Sequence, residues 1–187
     1  MKRAYELLVG DHFAKNRQMA FLSGPRQVGK TTLANALLPK AKYYNYDRPK
    51  DALLFGAGPD SVADDAGITA PALARNGVVF DELHKFSGWK RFLKGFFDLY
   101  GRGLHVAVTG SARLNVYKRG GDSLMGRYFP YRIHPLSVGE LADGLIDLEQ
   151  LHREPKIVDR RMVDDLLRLG GFPEPFLSGS DRFCNRW

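Results

Sequence analysis

The clearest chemistry in the chain lies in eight consecutive residues, Gly24-Pro25-Arg26-Gln27-Val28-Gly29-Lys30-Thr31. Glycines flanking four variable positions let the backbone wrap closely, so that successive N–H groups face an anion, and a helix starting after them adds its positive end. Lys30 then supplies a cation for the outer phosphates and the Thr31 hydroxyl a ligand for Mg²⁺. Thr32 continues the cradle into the helix. An ordinary glycine turn is the plain alternative, but the segment sits between an apolar run and a helix-forming one, as a phosphate loop must. ATP with Mg²⁺ is the expected ligand.

A second group fits the same chemistry. Asp81 and Glu82 follow Val78-Val79-Phe80, which sets two carboxylates at the C-terminal end of a buried strand, the edge where α/β sheets bind ligands. Asp81 is expected to hold the metal's water shell and Glu82 to orient and polarise the attacking water. Thr109-Gly110-Ser111 closes another apolar run at the same edge, so either hydroxyl could sense the γ-phosphate or place the water; a plain strand-to-turn transition is the alternative. Arg127 is the candidate cation for charge developing on the transferred phosphoryl group, with Arg113 and Arg119 as competitors.

These residues need a scaffold, and the hydrophobic pattern supplies one. Residues 2–15 read as an amphipathic helix and Met19 to Ser23 as a buried strand ending in the glycine loop. From Lys30 a helix with Leu33, Leu37 and Leu38 on its apolar stripe stops at Pro39. Tyr43 to Asp47 suits a strand, and residues 48–74 read as connections with short helices. Gly77 to Glu82, His105 to Thr109 and Tyr128 to His134 complete the expected strands. Trp89 to Tyr100 carries Trp89, Phe92, Leu93, Phe96, Phe97 and Tyr100 at helical spacing, a stripe read as packing. Asp159 to Leu169 reads as a last helix ending at Gly170 and Gly171. Strands alternating with helices imply a wound parallel α/β sheet.

Composition narrows the class. The 187 residues suffice for one well-buried domain, and no apolar run approaches the roughly 20 residues needed to span a bilayer. The N-terminal stretch is interrupted by Glu6 and Asp11, unlike a signal peptide, so a cytoplasmic location is expected. Cys184 is the single cysteine, which rules out an internal disulfide. His12, His84, His105, His134 and His152 show no metal-ligand spacing. The net charge of +7 is concentrated in residues 83–135, with 10 basic against 2 acidic side chains. Cations around a polyphosphate site or a solvated surface explain that excess; nucleic acid is the alternative partner.

The segments GPRQVGKTTL, VVFDELHK, TGSA, SLMGRYFPYRIHPLSVGEL and LGGFPEPFL together resemble the additional-strand, catalytic-glutamate class of P-loop ATPases. More closely, they resemble a prokaryotic AAA-type family, in that family's order over roughly residues 15–187. The resemblance implies a P-loop NTPase core with a five-stranded sheet in the order 5-1-4-3-2. It also implies that Arg127 is the functional arginine, and that Gly171-Phe172-Pro173 is a glycine-x-proline element through which Pro173 contacts adenine from a helical lid. Members of the family usually continue into a further domain, so residues 1–140 are expected to form the ATPase core and 141–187 the beginning of an incomplete lid. The expected function is Mg-dependent ATP hydrolysis coupled to a conformational change in an unknown protein partner or further domain. The alternatives are an ATP-regulated DNA-associated helper, a small-molecule kinase, or a nucleotide switch with negligible turnover.

Overall fold

The apolar runs of the sequence become the strands of one parallel sheet. The computed structural model describes residues 3–68, 77–111, 124–143 and 157–187. In chain order the elements are α1 (Ala4–Lys15), β1 (Met19–Ser23), α2 (Lys30–Leu37), β2 (Lys42–Asn45), α3 (Pro49–Ala57), α4 (Pro59–Asp65), β3 (Gly77–Asp81), α5 (Trp89–Tyr100), β4 (His105–Gly110) and β5 (Tyr128–Arg132). Four short helices follow: α6 (Val138–Asp143), α7 (Arg160–Leu169), α8 (Pro173–Ser178) and α9 (Asp181–Cys184). The strands pair in the order β2-β3-β4-β1-β5, all parallel. This is the 5-1-4-3-2 order that the family resemblance implies, with β4 between the acid-pair strand and the strand that enters the glycine loop. Arg113, Arg119 and His152 lie outside the described residues.

Two-residue alternation sends side chains to both faces of the sheet, and each face has its own core. Met19, Phe21, Val78, Phe80, Val106 and Val108 pack with α3, α4 and α5. Ala20, Leu22, Val79 and Ala107 pack with α1 and α2, where Val9, Phe13, Leu33 and Ala34 meet them. The aromatic stripe of α5 is buried as its spacing implies. The rings of Phe92 and Phe96 stand edge-on to Phe80 at 5.7 and 5.1 Å, contacts worth about 1 kcal/mol each beyond the area they bury. At the sheet's edge, β5 is largely exposed and accommodates Pro130.

Three strand ends fall short of their expected limits: β5 stops at Arg132 rather than His134, and the other two stop for visible local reasons. β2 stops at Asn45 because the Asn45 Oδ1 accepts the Asp47 N–H at 2.8 Å, which turns the chain. β3 stops at Asp81 because Glu82 has φ 55°, a left-handed conformation that ends the strand. Among the described residues no helix is long and apolar enough to cross a membrane.

Below α1, His12 is 2% exposed among the rings of Phe13, Phe129 and Tyr131. Its Nε2 carries the proton, donating to the Gln18 carbonyl at 2.8 Å, while Nδ1 is buried with no partner. Burial, and secondarily the nearby charge of His105, holds its pKa below the ordinary 6.5, opposed by the Gln18 bond. Burial lowers His105 as well. The unfolded chain therefore takes up protons first as pH falls, so this stability is complete above about 6.5 and is lost below it, by at most about 1.4 kcal/mol per pH unit for each imidazole. Thermal melts between pH 7.5 and 5.5 should show that decline. His12→Gln, which keeps a donor for Gln18, should make it shallower, and an unchanged slope would refute the assignment.

The first loop glycine is fixed by space. Gly24 has φ 152°, and a Cβ there would lie 2.2 Å from the Ile133 carbonyl oxygen, while the Ile133 N–H is bonded to the Ser23 carbonyl at 2.7 Å. Gly24→Ala must displace backbone on one side or the other. It is expected to destabilise the fold by more than about 2 kcal/mol, read as a fall in melting temperature.

Candidate functional site

The loop between β1 and α2 is built on two left-handed residues, Gln27 at φ 60° and Gly29 at φ 92°. Pro25, Arg26 and Gln27 form its exposed crest, whereas Val28 is fully buried in the core beneath α1 and α2 and anchors it. Lys30, 8% exposed, turns its ammonium back onto the loop, donating to the carbonyls of Gly24 at 3.1 Å and Pro25 at 2.5 Å. Burial lowers the pKa of Lys30; the charges of Glu82 and Asp81 oppose that shift and Arg26 adds to it. Thr31 and the exposed Thr32 follow in the first turn of α2, where helix N–H groups lack intrahelical partners.

Beside Lys30, Asp81 is 7% exposed. Its Oδ2 accepts from the hydroxyls of Thr31 at 3.0 Å and Tyr43 at 2.6 Å, and its Oδ1 accepts from the Thr109 hydroxyl. Tyr43 also accepts from Asn45 Nδ2 at 3.3 Å and lies under the Arg48 guanidinium, 5.2 Å from its ring centre. Burial, then the bond to Asp81, pushes the Tyr43 phenol up to about 12. A threonine hydroxyl and a carboxylate side by side are hard oxygen donors that suit Mg²⁺, which takes few protein ligands and fills its octahedron from phosphate and water.

Glu82 takes a different set of partners. Its N–H donates to the Thr109 carbonyl at 3.1 Å, and its carboxylate lies 3.3 Å from Lys85 Nζ and 3.8 Å from His84 Nε2. Lys85 simultaneously bonds both oxygens of Asp47, at 2.8 and 2.6 Å, the main cause of its raised pKa. His84 Nε2 is also 3.2 Å from the Ser111 hydroxyl.

A cavity of about 1140 Å³ runs from Arg26, Lys30, Thr31, Asp81 and Glu82 to Pro173, Glu174 and Leu177. Pro173 opens α8, and the segment before it is tied to the core. The Gly171 carbonyl accepts from the Leu136 N–H at 2.6 Å, and Phe172 packs on the α1 and α2 side and against Trp187. A second cavity of about 650 Å³ lies on the other side of Glu82, between Gly24, Pro25 and Arg26 on one wall and His84, Trp89 and Ser111 on the other. The fold thus brings together the loop, Asp81, Glu82, Ser111 and Pro173. Thr109 is fully buried with its hydroxyl on Asp81, so of the two candidate hydroxyls only Ser111 borders a cavity.

Arg127 is placed elsewhere. Its carbonyl accepts from the Met19 N–H at 2.9 Å, at the start of β1, and its guanidinium pairs with Asp98 at 2.7 and 3.0 Å. The glycine loop leaves the opposite end of β1, about 15 Å away at the rise of a strand. The sequence leaves open whose nucleotide Arg127 serves, and within one chain a residue that precedes a parallel strand lies at the sheet edge away from the loop. Sequence reasoning also missed Tyr43, Lys85 and Asp47, whose contacts cross between elements. It missed Arg3 as well, although this residue lines the cavity.

A family model described as an AAA domain matches residues 16–142. No curated protein matches the chain. Among solved structures, the Orc1 protein of Aeropyrum pernix in complex with DNA is similar at 14% identity and a TM-score of 0.51, over 74% of this chain and 46% of that one. A Walker-type ATPase of Pyrococcus abyssi is similar at 16% identity and a TM-score of 0.51, over 98% of this chain and 67% of that one. At these identities the likeness is one of fold, and the chain spans less than half the length of the Orc1 chain. The family match covers more than half of the chain and includes the glycine loop, the Asp81-Glu82 pair and the whole sheet, so the chain belongs to the AAA domain family of P-loop ATPases.

Proposed function

We propose that the chain binds Mg·ATP in the larger cavity and hydrolyses it, and that nucleotide state is passed through the C-terminal helices to a protein partner or further domain. The observation that carries this reading is the contact of the Thr31 hydroxyl with Asp81 beside the Lys30 ammonium. It sets a metal-binding pair next to a cation at the end of a phosphate loop. Lys30 exchanges the Gly24 and Pro25 carbonyls for phosphate oxygens. Thr31 and Asp81 would hold Mg²⁺, which would supply neutralisation of phosphate charge. Glu82, positioned by Lys85 and His84, orients and polarises the attacking water, with Ser111 on the far side. Pro173 contacts the base, and α7, α8 and α9 act as a lid. Arg127, at the other edge of the sheet, is read as serving a nucleotide held by a neighbouring copy.

The basic central third supports a second reading, an ATP-regulated helper on DNA, and the similar Orc1 protein is in complex with DNA. A salt-sensitive shift of duplex DNA by the protein would favour it, and no shift at low salt would end it.

Phosphate release from Mg·ATP, measured beside binding, tests the main reading. Lys30→Ala should lose binding. Glu82→Gln should keep binding and lose release by about 10²- to 10⁴-fold. A wild type that binds ATP without releasing phosphate would be a nucleotide switch, and one that neither binds Mg·ATP nor is stabilised by it in a thermal melt would overturn the proposal.

A further inference from the structure

Besides the packing of α1 on Val28, one side chain at the start of that helix hydrogen-bonds the phosphate loop. Arg3, the residue that caps α1, is 12% exposed in its side chain and Glu140 of α6 is 7% exposed. The guanidinium is gripped by Glu140, with Nε 2.6 Å from Oε1 and Nη2 3.2 Å from Oε2. Glu140 Oε1 also accepts the Ala4 N–H at 2.9 Å, which fixes the carboxylate from a second side. The fork so oriented donates from Nη1 to the Val28 carbonyl at 3.1 Å and from Nη2 to the His134 carbonyl at 2.8 Å. Two bonds to a carboxylate and two to carbonyls match the planar geometry of arginine, which lysine does not reproduce.

We propose that Arg3, oriented by Glu140, is a positioning residue for the phosphate loop; the inference rests on the nucleotide reading above. The Val28 carbonyl and the Gly29 N–H belong to one planar trans peptide unit, so a carbonyl held toward Arg3 turns the Gly29 N–H the opposite way. Two residues frame that peptide: Gly29 at φ 92°, which glycine adopts freely, and Gln27 at φ 60°, which stays left-handed only if its surroundings hold it. The other side-chain donor to loop carbonyls among the described residues is Lys30, on Gly24 and Pro25, and it leaves them when it pairs with phosphate. Arg3 is then the side-chain donor that still holds a loop carbonyl, beside the packing of Val28. Its bond to His134 steadies the other boundary of the loop, because the neighbouring Ile133 carbonyl is the atom that confines Gly24.

Arg3→Lys keeps the charge and loses the fork, and Glu140→Gln weakens the grip from a residue that does not line the cavity. ATP affinity is measured by calorimetry on the wild type, both variants and the double variant, beside nucleotide-free thermal melts. Each single variant should bind ATP about tenfold more weakly, and the double variant no more weakly than the worse single, because both act through one contact. A purely structural role would lower the melting temperature and leave the affinity of the folded protein unchanged. Affinities within about twofold of a wild type that binds ATP would overturn the inference while the nucleotide reading stands. A wild type that does not bind ATP would remove both. Should Arg3→Lys fail to fold, the milder Glu140→Gln decides alone.

Discussion

A carboxylate taken out of water must be met by donors, and Asp81 draws its donors from three different elements. Thr31 comes from α2, Tyr43 from β2 and Thr109 from β4. The register places Asn45, Asp81 and Thr109 side by side across β2, β3 and β4. Leaving any of these hydroxyls out would expose part of a buried charge to an apolar surround, a cost of a few kcal/mol. The acid-bearing strand therefore has its sheet neighbours prescribed at one end, and the helix after the glycine loop is prescribed as well. Alternation along the strands supplies the rest: Val79 and Asp81 face α2, while Val78 and Phe80 face α5.

The loop is arranged by the same logic of outside restraint. Gln27 is left-handed without being glycine, so neighbours must hold the loop there. Val28 is buried under α1 and α2, Gly24 is confined by Ile133, and Arg3 bonds the Val28 carbonyl. Apart from α2, each restraint arrives from a part of the chain that is distant in sequence, from α1, the residue after β5, or Arg3 as held by α6. The cradle is therefore a product of the whole fold, although its motif is local. Phe172 packs on the same core face, and Gly171 bonds Leu136, which places Pro173 and α8 against that assembly and at the cavity.

This division explains what could be read in advance. Three strands, β1, β3 and β4, were legible as apolar runs bounded by turn residues, and α5 because its aromatic stripe repeats at helical spacing. The loop was legible because its chemistry is contiguous. The strand order came from the resemblance, since apolar runs do not encode their neighbours. Arg3 and Glu140 are separated by 137 positions, and no local pattern pairs them. Tyr43 could be read only as a strand residue until β2 lay beside β3. Arg127 is a different case, because its position just before a strand already implied the edge remote from the loop once the sheet was parallel.

Adjacent carboxylates repel, and the turn at Glu82 resolves that conflict. A continued strand would send Glu82 to the α5 face, into the core around Phe80 and Leu83. The left-handed backbone instead carries it to the sheet edge, where its side chain is 22% exposed and meets Lys85 and His84. Asp81 remains buried among neutral hydroxyls. The two acids thus sit in opposite environments, one fixed by three donors that hold it still, the other screened by water and paired with a lysine that is itself shared with Asp47. A group that must orient a ligand gains from the first environment, and a group that must exchange partners gains from the second. The strain of a non-glycine residue at φ 55°, of order 1 kcal/mol, is what separates them.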